Sequence, residues 1–521
     1  MINNINSGLD NSYLNDLPGY VIKHSKVSLL EMSRAENYEQ LLKILRNTPY
    51  YKILVKIPPL EDGSADYTEC ELRLRTAYYT ELLNTAKHDF SEMQSKQLSE
   101  MISREIDWLN IINAYRMKAF FGYSSEEIKK RQIRIKTGIE VLKDQNFKCL
   151  EGKRVGLITN PTGVDNQMKS TIDILHEAPN VNLVALFGPE HGVRGDVHAG
   201  DHVTDIKDAT TGLPVYSLYG KTRKATPEML KDIDVLVYDI QDIGCRSFTY
   251  ISTMGLAMEA AAENGKEFIV LDRPNPVGGL KIEGNLVEDD CISFVSQFKI
   301  PYLYGLTCGE LALMLNGEKM MASQCNLHVV KMKGWKRKMD YVQTGLQWVP
   351  SSPHIPHPHS AIFYPVSGIL GELGYMSIGV GYTIPFQMFA AQWVEAEKLA
   401  GNLNALNVPG VVFRPMYLKP FYSVGKGELL QGVQVHIMDV QKAPLSDIQF
   451  LVMQEIAALY PDRAVFEHAD KGRFRMFDMV SGSEEIRKRF SQRNRWEDVR
   501  DYWYKDAEDF RRLSKKYYLY K

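Results

Sequence analysis

Several common signatures of chemistry are missing from this chain, and each absence narrows its function. The first apolar strand pattern runs into "NPTG" at 160–163 and not into Gly-x-Gly-x-x-Gly. The turn that holds a dinucleotide pyrophosphate is therefore lacking, which disfavours a nicotinamide or flavin dehydrogenase. No Gly-x-x-x-x-Gly-Lys-[Ser/Thr] loop is present to cradle the phosphates of ATP. The six cysteines, Cys70, Cys149, Cys245, Cys291, Cys308 and Cys325, show no Cys-x-x-Cys spacing. They read as reduced, mostly buried thiols, without a zinc site or a disulfide framework. A formal charge of -2 gives no global field to attract nucleic acid or an anionic membrane. Nor does any stretch reach membrane-spanning length without charges, and the opening "MINNINSGLDNSYLNDLPGY" lacks the basic-then-apolar order of an export signal. The expectation is a protein that stays in the cytoplasm, without membrane insertion.

What is present is ordinary globular composition, 44% hydrophobic and 24% charged over 521 residues, enough for two or three domains. Residues 1–132 are rich in helix formers, and Ile102, Ile106 and Leu109 mark a helix within 101–123. A charged connector, "SSEEIKKRQIRIK", follows it. From about 150 apolar runs alternate with helical patterns: "KRVGLITN", "MKSTIDILHEA", "VNLVALFGP", "LPVYSLYG", "TPEMLKDI", "DVLVYDIQ", a long helix ending at Gly265, and "EFIVLD". Near-continuous apolar strands between helices predict a parallel sheet buried on both faces, an α/β, doubly wound, Rossmann-like fold. We divide the chain into a helical extension (1–132), a Rossmann-like domain (133–363) and a smaller C-terminal α/β domain (364–521). The aromatic, charged tail after Arg495 reads as amphipathic helix packed on its own domain.

In doubly wound sheets ligands bind beyond the carboxyl ends of the strands. Asn160, Glu190, Asp239, Gln241, Asp242, Asp272, Arg273 and Asn275 all follow apolar runs and so share that rim. The sharpest cluster is "LFGPEHGVRGDVHAGDH" at 186–202. A carboxylate on its glycine-flanked turn approaches a substrate closely, and partial burial moves such groups towards the range of a general acid. Asp242 and Arg246 are spaced to form a structural ion pair. "SSPHIPHPHS" offers His354, His357 and His359, but prolines favour an extended chain and no third-ligand carboxylate is marked, so the segment reads as a loop placing His354 at a cleft and not as a metal site. Paired carboxylates across a cleft are the machinery of glycoside hydrolysis.

Six ordered blocks, "GKRVGLITNPTGVD", "LFGPEHGVRGD", "DIQDIGCRSFTYISTM", "VLDRPNPVGG", "YGLTCGELA" and "GELGYMSIGVGYTIPF", make residues from about 135 to 521 resemble the exo-acting β-N-acetylmuramidase family. The resemblance implies a Rossmann-like domain and a smaller α/β domain flanking a cleft. It implies release of N-acetylmuramic acid from non-reducing ends of peptidoglycan fragments, with Glu190 as the catalytic acid and no cofactor. His191 and Asp239 are the companion candidates for catalysis. Arg194 and Arg273 are candidates to grip the lactyl carboxylate; Asn160 and Asn275 to hold the acetamido group or hydroxyls; Asp242, Arg246, Asp272 and His354 to line the site; and Glu372 to reach it from the second domain. Residues 1–132 resemble part of a rotary ATPase C/d-type subunit, with no partner identified. The competing readings are a non-catalytic assembly protein attached to such an ATPase and, third, a metal-dependent hydrolase.

Overall fold

The computed structural model describes residues 27–60, 64–88, 135–195 and 206–521, and the chain divides into two compact units, 1–132 and 133–521. In the first unit the described secondary structure is helical: α1 (Leu29–Ser33), α2 (Tyr38–Ile44), α3 (Pro49–Leu54) and α4 (Tyr67–His88). Ser28 and Asn37 start α1 and α2 by accepting from the N–H groups of Glu31 and Gln40. Ala35, Leu41, Leu45, Leu54, Ile57 and Cys70 form the core beneath them. The helix expected over 101–123 and most of the connector after it lie outside the described residues.

The second unit is built on strands β1 (Arg154–Thr159), β2 (Asn182–Gly188), β3 (Ile206–Lys207), β4 (Pro214–Ser217), β5 (Val235–Asp239), β6 (Glu267–Leu271) and β7 (Asn326–Val330). They form one sheet in the order β3-β4-β2-β1-β5-β6-β7, parallel except for β3, which runs antiparallel to β4. Numbered among themselves, the parallel strands lie 3-2-1-4-5-6, the Rossmann order. Burial on both faces follows from the apolar runs. Val155, Leu157, Val235 and Val237 pack under α5 (Gly138–Asp144) and α6 (Thr171–Glu177). On the opposite face Ile158, Leu236 and Tyr238 meet α8 (Tyr250–Glu263) and α9 (Cys308–Gly317), while α7 (Pro227–Leu230) leads into β5.

The rest of the unit packs α10 (Pro358–Gly371), α11 (Ala396–Ala405), α12 (Asp447–Leu459), α13 (Val465–His468), α14 (Phe474–Ser481), α15 (Glu484–Arg493) and α16 (Glu497–Trp503) with a small antiparallel sheet, and α17 (Ala507–Ser514) returns to the first sheet. Its strands are β8 (Met388–Ala391), β9 (Val411–Leu418) and β10 (Leu430–Ile437), ordered β8-β10-β9. The proline-rich stretch is not extended throughout as expected. Pro358 stands in the first turn of α10, where its missing N–H costs nothing. Pro365 sits inside the same helix, and Gln449 of α12 is tied to the turn that follows it, donating to Pro365 O at 3.0 Å and accepting from Leu370 N–H at 3.0 Å. The expected division at 363/364 falls within α10.

Two features lock the Rossmann-like sheet to the second domain. The tail returns as α16 and α17: Trp503 is buried beside Tyr302, and Phe510 joins the core under α8 and α9. Arg246 is fully buried and donates to the carbonyls of Asn285 (2.8 Å), Ile300 (2.7 Å) and Val480 (3.1 Å). The expected Asp242–Arg246 pair is therefore replaced by a charge held on three carbonyl dipoles, and burial draws the guanidinium down to about 10. Replacing Arg246 with Met strands those carbonyls. We expect a loss of about 3 kcal/mol or more in urea unfolding; an unchanged midpoint would show that the carbonyls find other partners.

Candidate functional site

A pocket of about 340 Å³ opens at the carboxyl rim of the sheet, within the usual range of small-molecule sites. Glu190 and His191 reach it from the turn after β2, and Tyr219 from the loop after β4. Ser247 and Thr249 come from the passage between β5 and α8, Tyr250 from the first position of α8, and His354 from the segment before α10. One face of α10 completes the wall: Tyr364, Gly368, Gly371 and Glu372 follow at i, i+4, i+7 and i+8, the spacing that aligns side chains on a helix.

The turn presenting Glu190 is closed by Gly192 N–H to Pro189 O at 3.0 Å. His191 lies at φ 71° and Gly192 at φ 74°. A histidine in the left-handed region is strained, and here the strain falls at the pocket wall. Thr249 Oγ1 donates to Glu190 Oε2 at 2.8 Å. The Tyr219 hydroxyl faces the same carboxylate; burial first, and the Glu190 charge second, push this phenol up. Glu372, one residue beyond α10, is held above the ordinary carboxylate range by burial, with the Arg473 charge working against it. Tyr364 is half-buried, hydrogen-bonded to Ser247 Oγ at 3.2 Å, and raised by burial and by the charges of both Glu372 and Glu190. His354 Nε2 pairs with the Tyr422 hydroxyl at 2.8 Å. His357 and His359, by contrast, are exposed.

Of the sequence-derived candidates, then, Glu190, His191, His354 and Glu372 meet in one pocket, and the others are placed elsewhere. Asp239 is sealed at the end of β5, where Arg273 Nε and Nη2 reach its oxygens at 2.6 and 2.9 Å and Thr171 Oγ1 donates at 2.5 Å. It does not face the pocket as a catalytic group would. Arg273 is used up by that pair and by Val164 O. The space beside it is about 10 Å³, room for a single water. Arg194 forks onto Asp208 at 2.9 and 3.0 Å. Asp242 is fully buried against the Tyr304 hydroxyl and Gly244 N–H, and Asp272 against Thr307, Gly309, Tyr520 and the Arg273 N–H. Burial pushes these two carboxyls up to about 6 and about 7. Asn275 joins Leu306 O to Val277 N–H. Asn160 accepts from the Thr162 N–H and hydroxyl through its side-chain oxygen, while its amide nitrogen is buried without a hydrogen-bond partner among the described residues and the Tyr250 hydroxyl donates to Ser351 O. Most of the polar rim is therefore a floor of matched groups beneath the pocket. The hydroxyl-bearing residues that line it, Tyr219, Ser247, Thr249, Tyr250 and Tyr364, are missed by a reading that weighs charges. The signal available for three of them was "SFTY", sitting inside a block already singled out.

Residues 155–359 match the family model described as exo-beta-N-acetylmuramidase NamZ, N-terminal, and residues 362–520 its C-terminal counterpart. Residues 1–148 match the ATP synthase (C/AC39) subunit model. The chain is 46% identical over 387 residues to the peptidoglycan beta-N-acetylmuramidase NamZ of Bacillus subtilis, covering 74% of this chain and 92% of that protein. It is 36% identical over 100 residues to the C-type subunit of the A-type ATP synthase of a Desulfurococcus species, covering 19% and 26%. Two crystal structures of DUF1343 family proteins from Bacteroides fragilis are similar. One is 86% identical with a TM-score of 0.73, covering 75% of this chain and 100% of that one; the other is 27% identical with a TM-score of 0.60, covering 74% and 99%.

The separation of floor from wall is measurable by stability. Asp239→Ala leaves the Arg273 charge buried and unpaired, and we expect a loss of about 3–5 kcal/mol in urea unfolding. Glu190→Ala, at the pocket wall, should shift stability by less than about 1 kcal/mol. Equal effects, or the reverse order, would contradict this assignment of the two carboxylates.

Proposed function

Because the chain belongs to the exo-β-N-acetylmuramidase family, we propose that Glu190 and Glu372 are the two carboxyl groups with which it releases N-acetylmuramic acid from the non-reducing ends of peptidoglycan fragments. The chain is a glycoside hydrolase, and the observation carrying this assignment is that two carboxyl groups from different parts of the fold line one pocket in unequal surroundings. Divergent environments allow two like groups to take opposite roles, one holding a proton and the other a charge. Glu372, lifted by burial, keeps its proton further towards neutral pH and donates it to the leaving glycosidic oxygen. Glu190, read from the sequence as the general acid, receives the Thr249 hydroxyl and acts instead as the carboxylate at the anomeric centre. The reading of Asp239 as a catalytic group is given up in favour of Glu372. None of the pocket residues belongs to the N-terminal unit, and the likeness of that unit to an ATP synthase component spans only 26% of the relative. The assembly-protein reading therefore draws nothing from the pocket.

Glu190→Gln should lower kcat for hydrolysis of 4-nitrophenyl β-N-acetylmuramoyl glycoside by about 10²–10⁴-fold in a well-folded variant. Glu372→Gln should spare this substrate, whose leaving group departs as a stable anion, and fall about 10²–10⁴-fold on a disaccharide with a sugar leaving group. Equal losses on the two substrates would remove Glu372 from the proton-donor role. The pH profile gives an independent check. Activity that needs protonated Glu372 falls as pH rises through its raised pKa. Arg473 holds that pKa down, so Arg473→Met should move the alkaline limb to higher pH; a shift to lower pH would contradict the assignment.

A further inference from the structure

A pocket that prefers muramoyl over glucosaminyl sugars has to read one group: the ether-linked lactyl carboxylate, an anion at neutral pH. Arginine suits that task because its planar fork offers two parallel N–H bonds to a carboxylate. Arg194 and Arg273, the arginines favoured from sequence, are each already forked onto an aspartate. Arg246 is spent on backbone carbonyls inside the core. At the Glu372 side of the pocket, Arg473 donates to Glu372 O at 3.2 Å and stands against the proton donor itself.

Arg223 is placed differently. It lies on the loop between β4 and α7, at the carboxyl end of the strand that pairs with β2, and β2 carries Glu190. Its guanidinium carbon sits 4.5 Å from the ring centroid of Tyr219 and 4.1 Å from that of Phe294. The two rings are 5.8 Å apart. Two aromatic faces therefore hold a cation that is exposed to solvent, and Arg223 makes no salt bridge among the described residues. Anchorage through the faces of the rings keeps N–H groups at the edge of the guanidinium plane for an anion. Tyr219 lines the pocket, as does Val295, the neighbour of Phe294. The Tyr219 phenol feels the Glu190 charge, which raises it, and the Arg223 charge, which lowers it. One phenol thus spans from the reacting centre to the cation.

We propose that Arg223 is the residue that recognises the lactyl carboxylate and sets the preference for N-acetylmuramic acid. This rests on the hydrolase reading above, and the test separates the two. Arg223→Met keeps an apolar chain between Tyr219 and Phe294 and removes only the charge. Binding of free N-acetylmuramic acid and free N-acetylglucosamine is measured by calorimetry for wild type, Arg223→Met, Arg223→Lys and Arg473→Met, with hydrolysis of the two 4-nitrophenyl glycosides alongside. The expected result is that Arg223→Met weakens N-acetylmuramic acid binding about 10- to 100-fold, the range for a lost hydrogen bond to a charged group. Binding of N-acetylglucosamine should be unchanged, and Arg223→Lys should recover part of the loss. In hydrolysis the muramoyl substrate should lose through KM more than through kcat. An unaltered preference in Arg223→Met, or a preference that collapses in Arg473→Met instead, would overturn the proposal. Failure of the wild type to hydrolyse either glycoside would count against the hydrolase reading, while the binding preference would still decide the role of Arg223.

Discussion

The ion pair between Asp239 and Arg273, sealed across the ends of neighbouring strands β5 and β6, is the constraint on which the pocket depends. Two buried charges are stable only when each is matched in place, and here the matching draws in the loop after β1 through Val164 O and the start of α6 through Thr171. Asp242 with Tyr304, and Asp272 with Thr307 and Tyr520, extend the same arrangement across the rim and into the C-terminal tail. The loops above consequently leave from fixed points. A glutamate after β2 and a threonine before α8 can then meet at 2.8 Å although 59 residues separate them.

The sheet was legible because a strand buried on both faces must be apolar through its middle, and β1, β2, β5 and β6 carry polar residues only at their ends. Their carboxyl ends, and hence the rim, followed from the alternation with helices. Which way each polar side chain turns at the rim was not legible. Asp239 ends its strand directed into the matched floor, whereas Glu190 sits two residues beyond the end of β2 on a turn whose backbone, left-handed at His191, carries it to the pocket. Nothing in the local pattern separates those two cases, since both are acids following apolar runs. The start of α10 was hidden for a different reason: prolines argue against helix except in the first turn, where Pro358 stands, and Pro365 is carried inside the helix with Gln449 bonded to the turn after it. Arg223, in "YGKTRK", has the look of an ordinary solvated loop charge. Only the approach of Tyr219 and Phe294, 75 residues apart in sequence, gives it a defined position.

The resulting arrangement divides the chemistry between the two parts of the catalytic unit. The Rossmann-like sheet supplies Glu190, its hydroxyl partners and the aromatic-held Arg223, while α10 supplies Tyr364 and the residue that caps it supplies the half-buried Glu372. Arg246, donating from one part to a carbonyl of the other, and Trp503, packed beside Tyr302, hold those contributions in register. On the proposed assignment, a sugar end entering this pocket meets its acid, its carboxylate and its specificity cation on side chains held by the matched floor and the second domain.

The most direct measurement is a crystal structure of a catalytically silenced variant with a disaccharide bearing N-acetylmuramic acid at its non-reducing end. We expect the muramoyl ring between Glu190 and Glu372, its glycosidic oxygen towards Glu372 and its lactyl carboxylate at Arg223. A ring bound away from these two carboxyl groups, or bound between them with the lactyl carboxylate turned from Arg223, would contradict the account.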